Sequence, residues 1–120
     1  MGRHTLLILF AFLFIGCSSE KDKVIDNLKP EKEGNYSFAI FADENPTETD
    51  YYRKVTDVAV SLGDSVSNRS VFIKNEEDAD EYKYDDIFNI KNYPLIIVFD
   101  SNGIVLKTHS TSELEQFFSD

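Results

Sequence analysis

Ile90-Lys91-Asn92-Tyr93-Pro94-Leu95-Ile96-Ile97-Val98-Phe99-Asp100-Ser101-Asn102-Gly103 is the stretch that decides the fold. Leu95 to Phe99 is a short apolar run, bounded by a proline before it and turn residues after it. Such a run reads as a buried strand. Asp100-Ser101-Asn102-Gly103 reads as a hairpin turn, because Asn and Gly tolerate the backbone angles that a tight reversal needs. Ile104 to Thr108 is then the return strand.

Upstream, Tyr36-Ser37-Phe38-Ala39-Ile40-Phe41-Ala42 is apolar on both faces, which predicts a central strand. Thr47 to Leu62 carries Tyr51, Val55, Val58, Ala59 and Leu62 on one stripe, which predicts a helix. Asp43, Asn45 or Thr47 is its expected cap, with Pro46 near the first turn and Gly63 ending it. Ser70 to Ile73 is a second strand. A strand, a helix and a strand in this order make a right-handed unit with parallel strands. Glu76 to Asn89 is acidic and reads as a loop and a short helix, with Tyr82, Ile87 and Phe88 as its apolar contacts. Ser112 to Phe118 is a last helix, with Thr111 as its cap and Leu114, Phe117 and Phe118 turned inward. The expected class is α/β, in the order βαβ-α-ββ-α, with a four-stranded mixed sheet.

This order, with Ile90, Pro94, the apolar strand and the Gly103 turn at these spacings, resembles the thioredoxin fold over about residues 36–120. Phe41-Ala42-Asp43 is similar to the end of that family's central strand. The resemblance implies a thioredoxin-like domain in which Pro94 is cis and faces the site. It also locates a departure. The family's Cys-x-x-Cys belongs around Asn45-Pro46-Thr47-Glu48, where this chain has no sulfur. Thiol exchange requires a thiolate, which neither Asn45 nor Glu48 supplies. The residue after the proline, often Thr in the family, is Leu95. Redox and peroxidase activities are therefore not implied, and no catalytic residue is assigned. What the resemblance still implies is a binding face. The residue before the cis proline, Tyr93, offers its backbone to an extended peptide. Tyr93, Pro94, Asp43, Asn45 and Thr47 are the candidate binding residues. The alternative is that Pro94 only shapes the fold and Tyr93 is a surface aromatic.

The chain holds one cysteine. Arg3 precedes ten apolar residues, Leu6 to Ile15, and Gly16-Cys17 follows. A basic start, a core of this length and a small residue before the cut describe a secretory signal. The core is too short to span a bilayer. Phe14-Ile15-Gly16-Cys17 resembles the end of a bacterial lipoprotein signal, although Phe14 is a looser match than Leu. The resemblance implies cleavage before Cys17 and a diacylglyceryl group on its sulfur. It places the chain in the cell envelope, lipid-anchored to the outer face of the cytoplasmic membrane, or to an outer membrane if there is one. The alternatives are an ordinary signal with an incidental cysteine, or a buried cysteine of the fold. The expected organisation is a signal over residues 1–16, a lipidated cysteine and polar tether over 17–35, and the thioredoxin-like domain over 36–120. Within the tether, Val24, Ile25 and Leu28 have the spacing of one helical turn that docks on the domain.

Twelve basic and 22 acidic residues give a net charge of −10. Without residues 1–16 only Arg3 is lost, leaving eleven basic against 22 acidic, or −11. That balance argues against nucleic acid, whose binding depends on neutralised phosphates. It also argues against electrostatic docking on anionic lipid. With Cys17 lipidated, no thiol remains for a disulfide, a zinc-thiolate site or a nucleophile. Glu76, Glu77, Asp78, Asp80, Glu81, Asp85 and Asp86 lack the spacing of a calcium loop and read as a solvated face. His109, the only histidine after His4, has no triad around it. No cofactor and no metal site is expected. The expected function is a redox-inactive binding or scaffold module whose partner is an envelope protein or peptidoglycan. In this the chain resembles small lipoproteins that are sometimes called peptidoglycan-associated. The alternatives are a thioredoxin-like enzyme with non-thiol chemistry, or a thiol protein if Cys17 is not lipidated.

Overall fold

The computed structural model describes residues 19–74 and 83–119. Cys17 and the residues from Glu76 to Tyr82 lie outside the described residues. The elements in chain order are α1 (Ser19–Leu28), β1 (Tyr36–Ala42), α2 (Asp50–Leu62), a single 3-10 turn (Gly63–Ser65), β2 (Val66–Ile73), α3 (Tyr84–Ile87), β3 (Leu95–Asp100), β4 (Gly103–Thr108) and α4 (Thr111–Phe118). The sheet order is β2-β1-β3-β4. β1 pairs parallel with β2 and antiparallel with β3, and β3 pairs antiparallel with β4.

Alternation in the two central strands explains why both of their faces are apolar. Phe38 and Ile40 of β1 and Ile96 and Val98 of β3 point to one side, where Val55, Val58 and Ala59 of α2 and Leu114 of α4 cover them. Ala39 and Phe41 of β1 and Leu95, Ile97 and Phe99 of β3 point to the other, where Val24 of α1 and Phe88 after α3 cover them. Side chains alternate across a strand with period two, so a sheet covered on both sides needs apolar residues at every position. Each fully buried side chain of this kind contributes about 1.5–3 kcal/mol.

Several boundaries differ from those read in the sequence. The first domain helix starts at Asp50 rather than Thr47, and Thr49 caps it instead of Asp43, Asn45 or Thr47. The Thr49 hydroxyl accepts from the Tyr52 N–H at 3.2 Å and donates to the Pro46 carbonyl at 2.6 Å. The residues before it close on themselves, with the Thr47 N–H on the Asn45 side-chain oxygen at 3.1 Å. β2 is longer than Ser70–Ile73. Its first half carries exposed Ser67, Asn68 and Arg69, so no apolar pattern marks it, yet it pairs from Val66 onward. Ser67 is an extra residue in that pairing, and the Asn35 side chain donates to its hydroxyl at 2.7 Å. The last helix begins at Thr111 and its cap is Ser110, whose hydroxyl accepts from the Glu113 N–H. Phe117 is not turned inward. It is 40% exposed and packs its edge on Phe118, while Leu114 and Phe118, four residues apart, share the inner face.

Residues 17–35, expected as a polar tether, hold α1 from Ser19 onward. Val24 is 1% exposed, and Ile25 and Leu28 pack beside it. The docking turn proposed by their spacing is there, and the helix extends beyond it to ten residues. Asp85 and Asp86, from the acidic stretch, form the first turn of α3. Among the described residues no helix is long and apolar enough to cross a membrane.

Candidate functional site

The register of the sheet gathers four chain segments at one end. Ala42 pairs with Ile73, Phe41 with Leu95, and Ile96 with Thr108. The next residues outward are therefore Asp43 after β1, Lys74 after β2, Pro94 before β3 and His109 after β4. The N–H of Lys74 donates to the Ala42 carbonyl at 2.8 Å, which holds the first two together.

Tyr93-Pro94 is a cis peptide bond. Tyr93 is half-buried, and the Lys74 ammonium sits over its ring, 5.6 Å from the centroid. The Tyr93 hydroxyl has its pKa raised, first by burial and then by the nearby carboxylates of Asp85 and Asp43. The backbone N–H and C=O of Tyr93 make no hydrogen bond with the described residues. The Pro94 carbonyl does have a partner, because Nδ1 of His109 lies 2.9 Å away. The His109 carbonyl in turn accepts from the Tyr51 hydroxyl at 2.9 Å. Burial pushes the Tyr51 pKa up to about 12. One chain of contacts thus runs from α2, through the β4–α4 corner, to the residue before β3.

Of the five candidate residues, Tyr93, Pro94 and Asp43 come together. Asn45 and Thr47 are exposed in the loop after β1, and their one described bond is to each other. Pro46 between them is buried. Sequence reading missed Lys74, Tyr51 and the contact made by His109. The signal for two of these was available, since Lys74 and His109 each directly follow a strand that ends at this edge. Tyr51 falls on the core stripe by its spacing, and its hydroxyl reaches past that core to a loop 58 positions away. Two shallow concavities lie elsewhere. One is bordered by Val60, Gly63, Val66 and Arg69, the other by Lys54, Asp57, Ser61 and Glu115.

No family model matches the chain, and the curated proteins contain no match to it. Solved structures do match. The thioredoxin of Fasciola hepatica has a TM-score of 0.54 at 15% identity, covering 85% of this chain and 91% of that one. The thioredoxin of Malassezia sympodialis has a TM-score of 0.45 at 14% identity, over 74% of this chain and 76% of its own. A designed protein gives 0.49 at 13% identity, over 70% and 75%. The class is thus α/β with a thioredoxin-like fold: a four-stranded mixed sheet with one parallel pair and, among the described residues, four helices on its two faces.

Proposed function

We propose that this chain is a lipid-anchored, redox-inactive binding module of the bacterial cell envelope, displayed through a diacylglyceryl group on Cys17. The observation that carries the binding role is the state of Tyr93. Among the described residues its backbone donor and acceptor have no partner, its ring is half-buried, and it stands next to Pro94 at the gathered end of the sheet. An extended peptide can pair with such a backbone while the Tyr93 ring, Lys74 and Asp43 select its side chains. The anchor is supported by Ile15-Gly16-Cys17 behind a ten-residue apolar core. Redox inactivity is supported by Asn45 and Glu48 standing where the thioredoxin family has its thiols. The partner is an envelope protein or the peptide portion of peptidoglycan.

The test has two parts. Mass spectrometry of the N-terminal peptide from cells reads the anchor, and the expected result is a diacylglyceryl mass on Cys17 with residues 1–16 removed. An intact Met1 would sink it. Binding to purified peptidoglycan and to solubilised envelope proteins is then compared for the native chain and Tyr93→Ala. A partner retained equally by both would remove Tyr93 from the binding face.

A further inference from the structure

We infer that the outer face of α1 is a membrane-facing surface, held against lipid headgroups by the anchor; this rests on the lipidation of Cys17 proposed above. Three observations combine. The first is length. α1 begins at Ser19, two positions after Cys17. Two residue steps span at most about 7 Å. A free tether over residues 18–35 would instead allow roughly 20–25 Å.

The second is rigidity. α1 is part of the packed domain. Val24 is 1% exposed, and the side chain of Ile25 lies 3.8 Å from where a Cβ on Gly103 would stand, against the β3–β4 turn. Ile25 and Leu28 pack on the same cluster as Phe41, Phe88 and Phe99. The anchor is thus joined to a helix that cannot swing without exposing Val24.

The third is charge. Glu20, Asp22 and Asp26 are balanced by Lys21, Lys23 and Lys29, and Lys29 pairs with Asp26 at 3.1 Å. From residue 30 onward there are eight basic residues against nineteen acidic ones. From Cys17 to Lys29 the charges cancel, so the whole surplus of negative charge lies beyond α1 and the lysine that follows it. An anionic headgroup layer repels the rest of the domain and leaves α1 as the side of least repulsion. The short link and the charge distribution select the same face. The domain lies on the membrane with α1 down and its acidic remainder turned to the envelope space.

The experiment uses the full lipidated chain in vesicles of phosphatidylcholine and phosphatidylglycerol. Once Cys17 carries lipid, an introduced cysteine is the only free thiol. A fluorophore is placed through Lys23→Cys on the outer face of α1, or through Lys54→Cys on the exposed side of α2, across the sheet. Quenching by a headgroup-borne quencher is read. The expected result is several-fold stronger quenching at position 23 than at 54. A flexible Gly-Ser linker of about twelve residues inserted between Ser18 and Ser19 should abolish the difference. Equal quenching at both positions on a chain with the diacylglyceryl mass would overturn the orientation alone. A label at 23 shielded from both lipid-borne and aqueous quenchers would show α1 covered by protein, and would also overturn it. Absence of the lipid mass would overturn the anchor itself.

Discussion

Nδ1 of His109 lies 2.9 Å from the carbonyl oxygen of Pro94. A carbonyl only accepts, so Nδ1 carries the hydrogen and the other ring nitrogen is left to solvent. The contact ties the corner after β4 to the residue before β3. The two segments are fifteen positions apart in sequence. His109→Ala should therefore cost about 0.5–1.5 kcal/mol, the net worth of one such bond. Urea unfolding should record it as a lower midpoint with an unchanged slope. His109→Asn, whose amide can donate from nearly the same place, should recover part of the loss. Equal stability of native and His109→Ala proteins would mean that water replaces the contact at no cost.

Tyr51 makes the next contact in that chain, and its titration gives a pH dependence. Burial holds its folded pKa at about 12, above the ordinary phenol value of 10.0. The folded state thus keeps its proton when the unfolded state has begun to lose it. Stability from this group is fully present below about pH 10 and declines as pH rises toward 12. Tyr51→Phe should lower stability at neutral pH, because the His109 carbonyl loses its donor. It should also flatten the decline above pH 10. Urea midpoints measured from pH 8 to 11.5 test both. A decline equally steep in the variant would assign the alkaline loss to other groups.

The fold was legible where apolar residues were continuous. Leu95–Phe99 and Tyr36–Ala42 could only be central strands, because each position along them faces one of two covered sides. The first half of β2 was not legible, because an edge strand keeps one side open and Ser67, Asn68 and Arg69 carry no period. The caps of α2 and α4 are not legible either, for a different reason. Asn45, Thr47, Thr49, Ser110 and Thr111 all have capping chemistry, and only the path of the loop decides which hydroxyl meets the free N–H. That Tyr93, Pro94 and Asp43 lie together at one end of the sheet was legible through resemblance. Lys74, Tyr51 and the bond made by His109 depend on which strand ends lie side by side. That information resides in the sheet register rather than in any local pattern.

Val24 tests whether α1 belongs to the domain. It is almost fully buried among Phe88, Phe99 and Leu95. Val24→Ala removes two methyl groups and leaves a cavity, which should cost about 2 kcal/mol. Val24→Asp should go further and release the helix, since an unpaired buried carboxylate is far more costly than a void. Amide hydrogen exchange is the direct measurement. In the native chain the α1 amides should be protected nearly as long as those of β1. In Val24→Asp they should exchange at the rate of an open chain while β1 remains protected. If α1 exchanges freely in the native chain, the helix is only loosely docked.

Asn45-Pro46-Thr47-Glu48 is the loop at which the resemblance to thioredoxins would place a Cys-x-x-Cys, and it gives a further test. Asn45→Cys with Glu48→Cys introduces that spacing there. A low thiol pKa depends on a helix N-terminus or a cation beside the sulfur. Here α2 starts only at Asp50, and Thr49 occupies its cap. Position 45 lies in a separate closed turn, and Asp43, Glu44 and Asp50 are its charged neighbours in sequence. Anionic neighbours disfavour a thiolate. Both thiols should therefore titrate near or above about 8.5, the ordinary cysteine value. The double variant should reduce a model disulfide no faster than a small dithiol at the same concentration. Thiolate absorbance across pH and the reduction rate are the two readouts. A thiol titrating well below 7 with rapid exchange would mean that the loop has a geometry able to support redox chemistry once sulfur is supplied.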